Sequence, residues 1–397
     1  MGKHEAQSLA GPKMLKQLDA LSEISPALGR LVLEAGFGDA LGGVTVGYRE
    51  WCLMTLAALM CMGDAAEQSQ VYLEAATRNG ATEHEIRDVL SLCYGYAGAP
   101  RAVTAARRIK DYLDQANEQF LPGSTEEQIQ LADHTTMIWD SCGKGLAQEG
   151  VPMVLIHALD MDHRFWREVF PALANKGRTI AYDMRGHGRA RGAPLTQSLE
   201  QLAGDLAHLL DRLEIPVADV YGASFGGAVV QQFALQSPAR LRSMALIATG
   251  AKAPKEELSA RATDAEEHGM EAQVAKSVIR WFLPESIAQD LWMVRYARNC
   301  VRRSRVEEWA ASWRAMAALD MTESAKKVEI PVLVLSGTKD LSATPDAMRA
   351  TAKIYKKSEF VSIDEGTHML PMEQSEKASE ALGAFRDRVE AESRAVR

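Results

Sequence analysis

The stretch "VYGASFGGAVV", residues 220 to 230, places Ser224 between two glycines in a G-x-S-x-G pattern. The pattern alone is weak evidence, because it arises by chance in about one chain of this length in ten at average glycine and serine usage. Its context is more informative: an apolar run leads into it and "AVVQQFALQ" (228–236) follows it, which predicts a strand, a tight turn and a helix. Glycines are needed where such a turn is strained and packs on itself. The sequence therefore predicts that Ser224 is a nucleophile, with a buried serine in an ordinary turn as the alternative.

Short apolar runs alternate with amphipathic helices on both sides of this turn. Strands that are apolar throughout and separated by helices indicate a parallel sheet that is covered on both faces. The predicted strands are residues 152–158, 179–183, 217–222, 244–249, 331–337 and 359–364. A helix that opens at Ser198, with Gln201 three residues later, lies between the second and third of them. The strand signal stops between about residues 251 and 321, where charged helical sequence predicts a cap over one end of the sheet.

The first part of the chain has a different sequence pattern, with almost no strand signal. Its predicted helices are residues 12–35, 48–62, 64–79, 83–95 and 99–116, the fourth opened by a capping box from Thr82 to Glu85. A polar segment around Pro122-Gly123-Ser124 then predicts a boundary. The predicted fold class is an all-α N-terminal domain plus an α/β domain with a mostly parallel, doubly wound sheet and a helical cap. The predicted bounds are 1–118 for the helical domain, 119–130 for the linker and 131–397 for the α/β domain.

Composition limits the class of protein. A formal net charge of −8 over 397 residues argues against a nucleic-acid-binding protein. The five cysteines form no C-x-x-C pair, so they are predicted to be reduced thiols of a cytoplasmic protein, not a zinc site or a disulfide framework. The N-terminus has no apolar signal core, and the longest apolar run, residues 51–62, is too short to span a bilayer. We expect neither a membrane nor a nucleic acid as a partner.

A serine hydroxyl needs a base that takes its proton, and on this architecture the chain order is serine, acid, histidine. Only His268 and His368 follow Ser224. His268 lies in the inserted helical region, where we expect it to face solvent. His368 lies in "IDEGTHMLPME", just past the last predicted strand, and is the predicted base; a surface-loop histidine is the alternative.

The acid must bind the other ring nitrogen of the histidine and stabilise the imidazolium. Asp340, in "LSGTKDLSATP", follows the strand 331–337 at its carboxyl end, where catalytic loops of α/β folds cluster. Asp364 and Glu365 lie nearer His368 in sequence, but they belong to the same strand end and are less able to approach the ring from the side. Asp340 is therefore the predicted acid, and a simple Asx-turn is the alternative.

Negative charge that develops on a carbonyl oxygen needs hydrogen-bond donors. The predicted donors are the backbone amides of Phe225, which follows the nucleophile, and of Leu159, which follows the strand 152–158. That loop reads His157-Ala158 where His-Gly is usual, and the extra methyl group is expected to narrow the pocket. This machinery implies no metal and no organic cofactor.

Residues 126 to 396 resemble an α/β-hydrolase, in which "YDMRGHGRA" (182–190) is a usual turn with Asp183 and His187 as structural hydrogen-bonding residues. Within that superfamily they resemble 3-oxoadipate enol-lactonases, through "EHGMEAQVAKSVIRWFLPE" (267–285) and "WRAMAALDM" (313–321). The resemblance implies a small-molecule lactone or ester that carries a carboxylate. Cap arginines are candidates to pair with that group, although a solvated helix face is the alternative. These arginines are Arg280, Arg295, Arg298, Arg302 and Arg303.

Residues 26 to 118 resemble 4-carboxymuconolactone decarboxylases. The matching stretches are "GFGDAL", "TLAALMCMG", "AATRNGATEHEIRDVL" and "YGYAGAPRAVTAARRI". Glu67 of the family's E-x-x-x-x-H stretch is kept, but Tyr72 occupies the histidine position. A tyrosine donates a hydrogen bond but does not titrate near neutrality, so it is poorly suited to returning a proton to carbon. Three other histidines, His4, His84 and His134, lie outside the matching position.

Three functions stay open at this stage. The leading hypothesis is a serine hydrolase that cleaves a lactone or carboxylic ester through an acyl-enzyme, with a helical domain that shapes access to the pocket or serves assembly into a homo-oligomer. The second is a bifunctional enzyme, a decarboxylase plus a 3-oxoadipate enol-lactonase of the β-ketoadipate pathway. The third is a non-catalytic ligand-binding protein, since folds of this kind also serve as receptors.

Overall fold

The structure is a computed structural model of the chain, and it describes residues 18–32, 34, 46–63, 65–79, 81, 83–107, 109, 124–142 and 150–395. The chain divides into two compact units, Met1–Phe120 and Leu121–Arg397.

The described part of the first unit is helical. Its helices are α1 (Pro26–Leu31), α2 (Tyr48–Met62), α3 (Ala66–Arg78) and α4 (Glu83–Ala97), and residues 18–24 and 99–107 are also helical. Cys52, Leu56 and Met60 recur every four residues on one face of α2 and are buried with side chains of α3 and α4. The predicted helices 48–62, 64–79 and 83–95 are confirmed in their described residues, and so is the described part of the helix 99–116. Thr82, the expected capping residue, and residues 110–116 lie outside the described residues.

The prediction of one continuous helix over residues 12–35 is wrong. The helix is interrupted at Ser25, whose extended backbone and side-chain oxygen cap a new helix by accepting a bond from Leu28 N–H. Pro26 occupies the first position of that new helix, where its missing N–H costs nothing but where it cannot continue the preceding turn.

The second unit contains an eight-stranded sheet in the order β1-β2-β4-β3-β5-β6-β7-β8. The first two strands are antiparallel to their neighbours, and β3 to β8 run parallel. The strands are β1 (Thr125–Gln130), β2 (Thr135–Asp140), β3 (Met153–Ile156), β4 (Thr179–Tyr182), β5 (Ala218–Ala223), β6 (Leu241–Ile247), β7 (Val332–Gly337) and β8 (Ser358–Ile363). Every residue of β3 and β5 is buried, as expected for central strands that are covered on both faces. The six predicted strands and the predicted fold class are confirmed.

The two antiparallel strands at the sheet edge were not predicted. The sequence of β1, "TEEQIQ", alternates half-buried and exposed residues, and only Ile129 among them packs on the core. This strand lies inside residues 119–130, so the prediction of a linker over that whole range is wrong for its second half. One face of β1 is exposed to water, and its polar composition therefore resembles that of a linker.

Helices follow the strands and form the cap. The helices of this unit are α5 (Phe170–Ala174), α6 (Leu199–Arg212), α7 (Phe225–Gln236), α8 (Lys255–Trp281), α9 (Pro284–Ala288), α10 (Trp292–Arg303), α11 (Val306–Ala317), α12 (Pro345–Ile354), α13 (Leu370–Glu373) and α14 (Ser375–Ala395). Ser198 caps α6, as predicted, by accepting a hydrogen bond from Gln201 N–H at 3.3 Å. The cap consists of α8 to α11, between β6 and β7, and α8 is interrupted at Gly269, whose φ is +73°.

Among the described residues, no helix combines the length and the apolar character that crossing a membrane requires.

Candidate active site

Ser224 lies on the sharp turn between β5 and α7. Its φ of +50° is a strained conformation for a residue with a side chain, so neighbouring packing must hold it. A Cβ on Gly222 would lie 2.4 Å from the carbonyl oxygen of Gly226, and one on Gly226 would lie 2.4 Å from that of Ile156. The two glycines are therefore required because backbone approaches backbone at this turn.

Ser224, His368 and Asp340 form one hydrogen-bonded series, and all three are buried. The Nε2 atom of His368 lies 2.8 Å from Ser224 Oγ. The Nδ1 atom of His368 lies 3.0 Å from Oδ2 and 3.1 Å from Oδ1 of Asp340. The serine is at the end of β5, the aspartate follows β7 and the histidine follows β8, so the carboxyl ends of three parallel strands bring the residues together.

Asp340 is held by the loop that carries it. Its Oδ1 atom accepts hydrogen bonds from Ser342 N–H at 2.7 Å and from Ala343 N–H at 2.9 Å. The carboxylate oxygens can only accept, so the Nδ1 atom of His368 that faces them is the nitrogen that carries the ring proton. With Nδ1 protonated, Nε2 is the nitrogen that can accept the hydroxyl proton of Ser224.

The alternatives weighed from the sequence lie elsewhere. Asp364 is exposed, and its carboxylate accepts a bond from the Thr338 hydroxyl at 3.3 Å. The His268 ring is exposed on α8, where Nδ1 lies 3.1 Å from the carbonyl oxygen of Asp264.

The backbone amides of Leu159 and Phe225 are the predicted oxyanion donors. Phe225 is the first residue of α7, and Leu159 belongs to the loop that follows β3, residues 157–162, here called the β3 loop. Within the described residues, neither N–H donates to a protein acceptor. A helix N-terminus also carries a partial positive charge, so the start of α7 favours negative charge beside Ser224.

Two buried histidines support this region without charge. His157 accepts a hydrogen bond from Met184 N–H at Nε2, 3.0 Å, and donates from Nδ1 to the carbonyl oxygen of Ala158 at 2.8 Å. Burial lowers the pKa of His157, and burial together with the neighbouring His157 lowers the pKa of His187 to about 3. Both rings are therefore neutral hydrogen-bonding residues near neutral pH.

Asp183 also has a structural role. Its Oδ1 atom accepts the backbone N–H and the ring Nδ1–H of His163, each at 2.8 Å, and Oδ2 accepts Arg189 N–H at 2.7 Å. These bonds fasten the turn that follows β4 to the short helix after the β3 loop.

Asp160, in the β3 loop, is a buried carboxyl group. Burial raises the pKa of Asp160 to about 8. The positive charge of Arg191 opposes this rise, and the negative charge of Glu308 reinforces it. Ser304 of the cap donates a hydrogen bond to Oδ1, and Oδ2 has no partner among the described residues.

A cavity of about 440 Å³ opens between Ser224, His368 and the cap. Its walls are largely apolar and include the rings of Trp281 and Trp313. Its charged lining residues are Lys252, Glu257 and Arg261. The volume suits a small organic molecule that presents a carbonyl group to the serine.

Arg261 was not among the predicted substrate-binding arginines. Its guanidinium lies over the Trp313 ring, 4.8 Å from the centroid, and is hydrogen-bonded to Glu257. Nothing local in the sequence distinguishes it from other cap arginines, because only the packing of α8 against α11 brings it to the cavity.

The five arginines that the sequence offered do not line the cavity. Arg295 and Arg298 bind Asp290, and Arg302 binds Glu271 on the surface. Arg303 also takes part in an interaction with another residue. Arg280 is half-buried nearby, where burial and the charge of Arg261 lower its pKa to about 10.

Two clusters of carboxylates and histidine lie close enough to hold a metal ion in the described residues: Asp133, His134 and Asp205, and Asp162, His163 and Asp183. Both already have cationic partners. Arg185 binds Asp133 and Asp205, and Arg164 binds Asp162. We therefore assign no metal to either cluster.

A strand–serine–helix turn with a histidine and an aspartate at neighbouring strand ends defines the class of α/β hydrolases. The chain belongs to the alpha/beta hydrolase fold family, whose model matches residues 151–375. Residues 26–111 match the carboxymuconolactone decarboxylase family. The helical N-terminal part and the hydrolase part thus have separate family relationships.

The hydrolase part is similar to enol-lactonases and esterases. The 3-oxoadipate enol-lactonase 1 of Acinetobacter baylyi is 27% identical over 259 residues, which are 64% of this chain and 97% of that enzyme. The solved enol-lactonase from Burkholderia xenovorans LB400 is 26% identical, with a TM-score of 0.62 over 66% of this chain and 100% of that one. A thermophilic esterase from Thermogutta terrifontis, solved with malate bound, is 26% identical, with a TM-score of 0.60 over 67% of this chain and 99% of that one. These relatives support a hydrolase function.

Proposed function

We propose that this protein is a serine hydrolase that cleaves a lactone or carboxylic ester through an acyl-enzyme. The hydrogen-bonded series Ser224–His368–Asp340 at the end of the cavity is the observation that carries the proposal. Nε2 of His368 takes the hydroxyl proton while Ser224 Oγ bonds to the carbonyl carbon. Asp340 stabilises the imidazolium, and the amides of Leu159 and Phe225 donate to the oxyanion.

The intermediate then collapses, and the bond between the carbonyl carbon and the leaving oxygen breaks. His368 returns its proton to that oxygen, which stays attached to the acyl chain when the substrate is a lactone. A water molecule, deprotonated by the same histidine, attacks the acyl-enzyme and releases the acid with a regenerated serine.

The direct test is to mix the full-length protein with a p-nitrophenyl ester of a short acid. We expect turnover with a burst of nitrophenol, and mass spectrometry of the quenched protein should find the acyl group on the peptide that contains Ser224. Intact ester after incubation would instead favour the non-catalytic ligand-binding protein.

The charges at the cavity wall favour a substrate that carries a carboxylate. Arg261 lines the cavity, and burial together with the charge of Arg261 lowers the pKa of Arg280, while Glu257 is the carboxylate that opposes both. An anionic ligand would relieve this excess of positive charge and could bind the Arg261 guanidinium through two parallel hydrogen bonds. The enol-lactonase relatives and the malate of the Thermogutta esterase support the same substrate class.

Arg261→Met should separate carboxylate recognition from chemistry. We expect the KM for an ester that carries a free carboxylate to rise by roughly 10- to 100-fold, since a hydrogen bond to a charged group contributes about 1.5–3 kcal/mol. The KM for the matching neutral methyl ester should change by less than about twofold, because that substrate offers no charge to the guanidinium. Steady-state kinetics on the ester pair measure both values.

Arg314→Met is the matched control, since Arg314 lies on cap helix α11 but binds Glu266 at the surface. It should leave both KM values unchanged. An equal effect of Arg261→Met on the charged and the neutral ester would overturn the assignment of Arg261.

For the helical N-terminal unit we propose a role in assembly, with decarboxylation as the alternative. Burial raises the pKa of Tyr72 to about 12, so the phenol at the family's histidine position stays protonated near neutrality. Glu67 is exposed on the same helix, α3. A group that does not titrate is poorly suited to the proton transfer that decarboxylation needs. Carbon dioxide released from 4-carboxymuconolactone by the full-length protein would instead establish the bifunctional enzyme.

Most of the exposed large hydrophobic side chains in the described residues belong to this smaller unit. Leu92 and Tyr96, 53% and 88% exposed, lie four residues apart on α4 and therefore on one side of it. Contact with a second copy of the chain would remove them from water.

Replacing Leu92 and Tyr96 together by lysine should shift the protein towards the mass of a monomer in sedimentation equilibrium. Its melting temperature should fall only by the stabilisation that assembly gives the wild type, because both side chains are already exposed in the single chain. Ile279→Lys is the control, since Ile279 is 61% exposed in the cap. A wild-type protein that sediments as a monomer at micromolar concentration would contradict the proposal.

A further inference from the structure

Two cap side chains fasten the β3 loop just after the amide that we assign to the oxyanion. We propose that Tyr296 of α10 and Ser304, the residue that follows α10, are positioning residues that hold the Leu159 N–H in place for the reaction. The inference rests on the proposed function, and it gives the cap a second role besides forming the cavity wall.

Tyr296 makes a reciprocal pair of hydrogen bonds with Asp162. Its buried hydroxyl oxygen accepts the Asp162 backbone N–H at 3.1 Å, and its O–H donates to Asp162 Oδ1 at 2.8 Å. Asp162 in turn caps the next short helix by accepting Arg164 N–H at 3.0 Å, and the Arg164 guanidinium lies 5.3 Å from the centre of the Tyr296 ring. The end of the β3 loop is therefore fixed in direction by a helix of the cap.

Ser304 acts on the residue next to Leu159. The N–H of Met161 bonds the carbonyl oxygen of Ala158 at 3.1 Å, which closes a tight turn with Leu159 and Asp160 at its centre. Asp160 has a φ of +71°, the value that a type II turn requires at its third position and that usually selects glycine or asparagine. An aspartate in this conformation needs stabilising contacts from residues outside the turn.

The cap supplies these contacts. The Ser304 hydroxyl donates to Asp160 Oδ1, and its oxygen accepts a hydrogen bond from an Arg191 terminal nitrogen at 3.1 Å. The strained turn that presents the Leu159 amide is thus pinned by Ser304, and the loop that follows is pinned by Tyr296. Without these bonds the turn can relax toward a less strained shape, which would rotate or displace the amide.

Tyr296→Phe removes the hydroxyl and keeps the ring that packs in the cap. We expect kcat to fall by roughly 10- to 100-fold with the KM within about twofold, as when an oxyanion donor is displaced while substrate contacts stay. Ser304→Ala should act in the same direction.

A transition-state analogue separates positioning from a loss of stability. An alkylboronic acid adds to the serine oxygen and presents a tetrahedral oxygen to the oxyanion donors. Across wild type, Tyr296→Phe and Ser304→Ala, its affinity should fall in proportion to kcat/KM, while the affinity for the carboxylic acid product stays within about twofold. Tyr355→Phe is the matched control, since it also removes one buried hydroxyl, which donates to Gln231 Oε1 at 2.8 Å away from the β3 loop.

The control should keep wild-type kcat and boronate affinity at a similar cost in melting temperature. Wild-type kcat in Tyr296→Phe, or unchanged boronate affinity in both cap variants, would overturn the positioning role while the proposed hydrolase stands. Absence of ester turnover in the wild type itself would overturn the proposed function.

Discussion

Ser224→Ala should lower kcat/KM for a p-nitrophenyl ester by about 10⁴-fold or more and abolish the burst of nitrophenol. The hydroxyl oxygen that His368 Nε2 contacts at 2.8 Å is the atom that would form the acyl bond. No other group at the turn can replace it, since the flanking positions are glycine or side chains without a nucleophile. Alanine tolerates a φ of +50° about as well as serine, so the turn itself should persist.

The measurement needs evidence that the pocket survives. Calorimetric binding of the carboxylic acid product should be retained in Ser224→Ala, since the cavity walls are untouched. Ser237→Ala at the other end of α7 is the control and should turn over ester within about twofold of wild type, since Ser237 is half-buried and does not line the cavity. Residual turnover of several per cent in Ser224→Ala, with the same acyl group found on another residue, would contradict the assigned nucleophile.

The centre of the fold was predictable from the sequence because its signals are local. The strands β3, β4, β5 and β7 are buried along their whole length, so their mostly apolar runs are recognisable by themselves. The turn at Ser224 needs glycine where backbone approaches backbone, and the sequence has glycine at those positions, Gly222 and Gly226. Chain order then limited the candidate base to two histidines.

Features that depend on contacts between distant segments were not predictable in this way. β1 is a polar edge strand, and its pairing with β2 is not visible in its composition. Arg261 differs from the surface arginines only by lying over Trp313, and Tyr296 bonds a loop residue 134 positions away. Helical periodicity assigns such residues to a helix but does not tell which neighbour each side chain meets.

Asp340→Asn should lower kcat by roughly 10³- to 10⁴-fold with little change in the fold, because it favours the wrong tautomer of His368. One carboxylate oxygen of Asp340, Oδ1, accepts the backbone N–H groups of Ser342 and Ala343. In the variant the amide oxygen must take that place, since an NH₂ group would meet two donors. The NH₂ group then faces His368 Nδ1, which lies 3.0 Å from Oδ2 in the wild type.

An amide N–H that donates to Nδ1 leaves the ring proton on Nε2, and a protonated Nε2 cannot accept the hydroxyl proton of Ser224. Nitrogen NMR of labelled histidine should therefore show the proton of His368 moving from Nδ1 to Nε2 in Asp340→Asn, together with the loss of turnover. Asp364→Asn makes the same chemical change at an exposed carboxylate that accepts from Thr338, and it should leave both the tautomer and kcat as in the wild type. If Asp364→Asn lost activity and Asp340→Asn stayed within about tenfold of wild type, the acid would be Asp364, and the bond between Asp340 and His368 would have only a structural role.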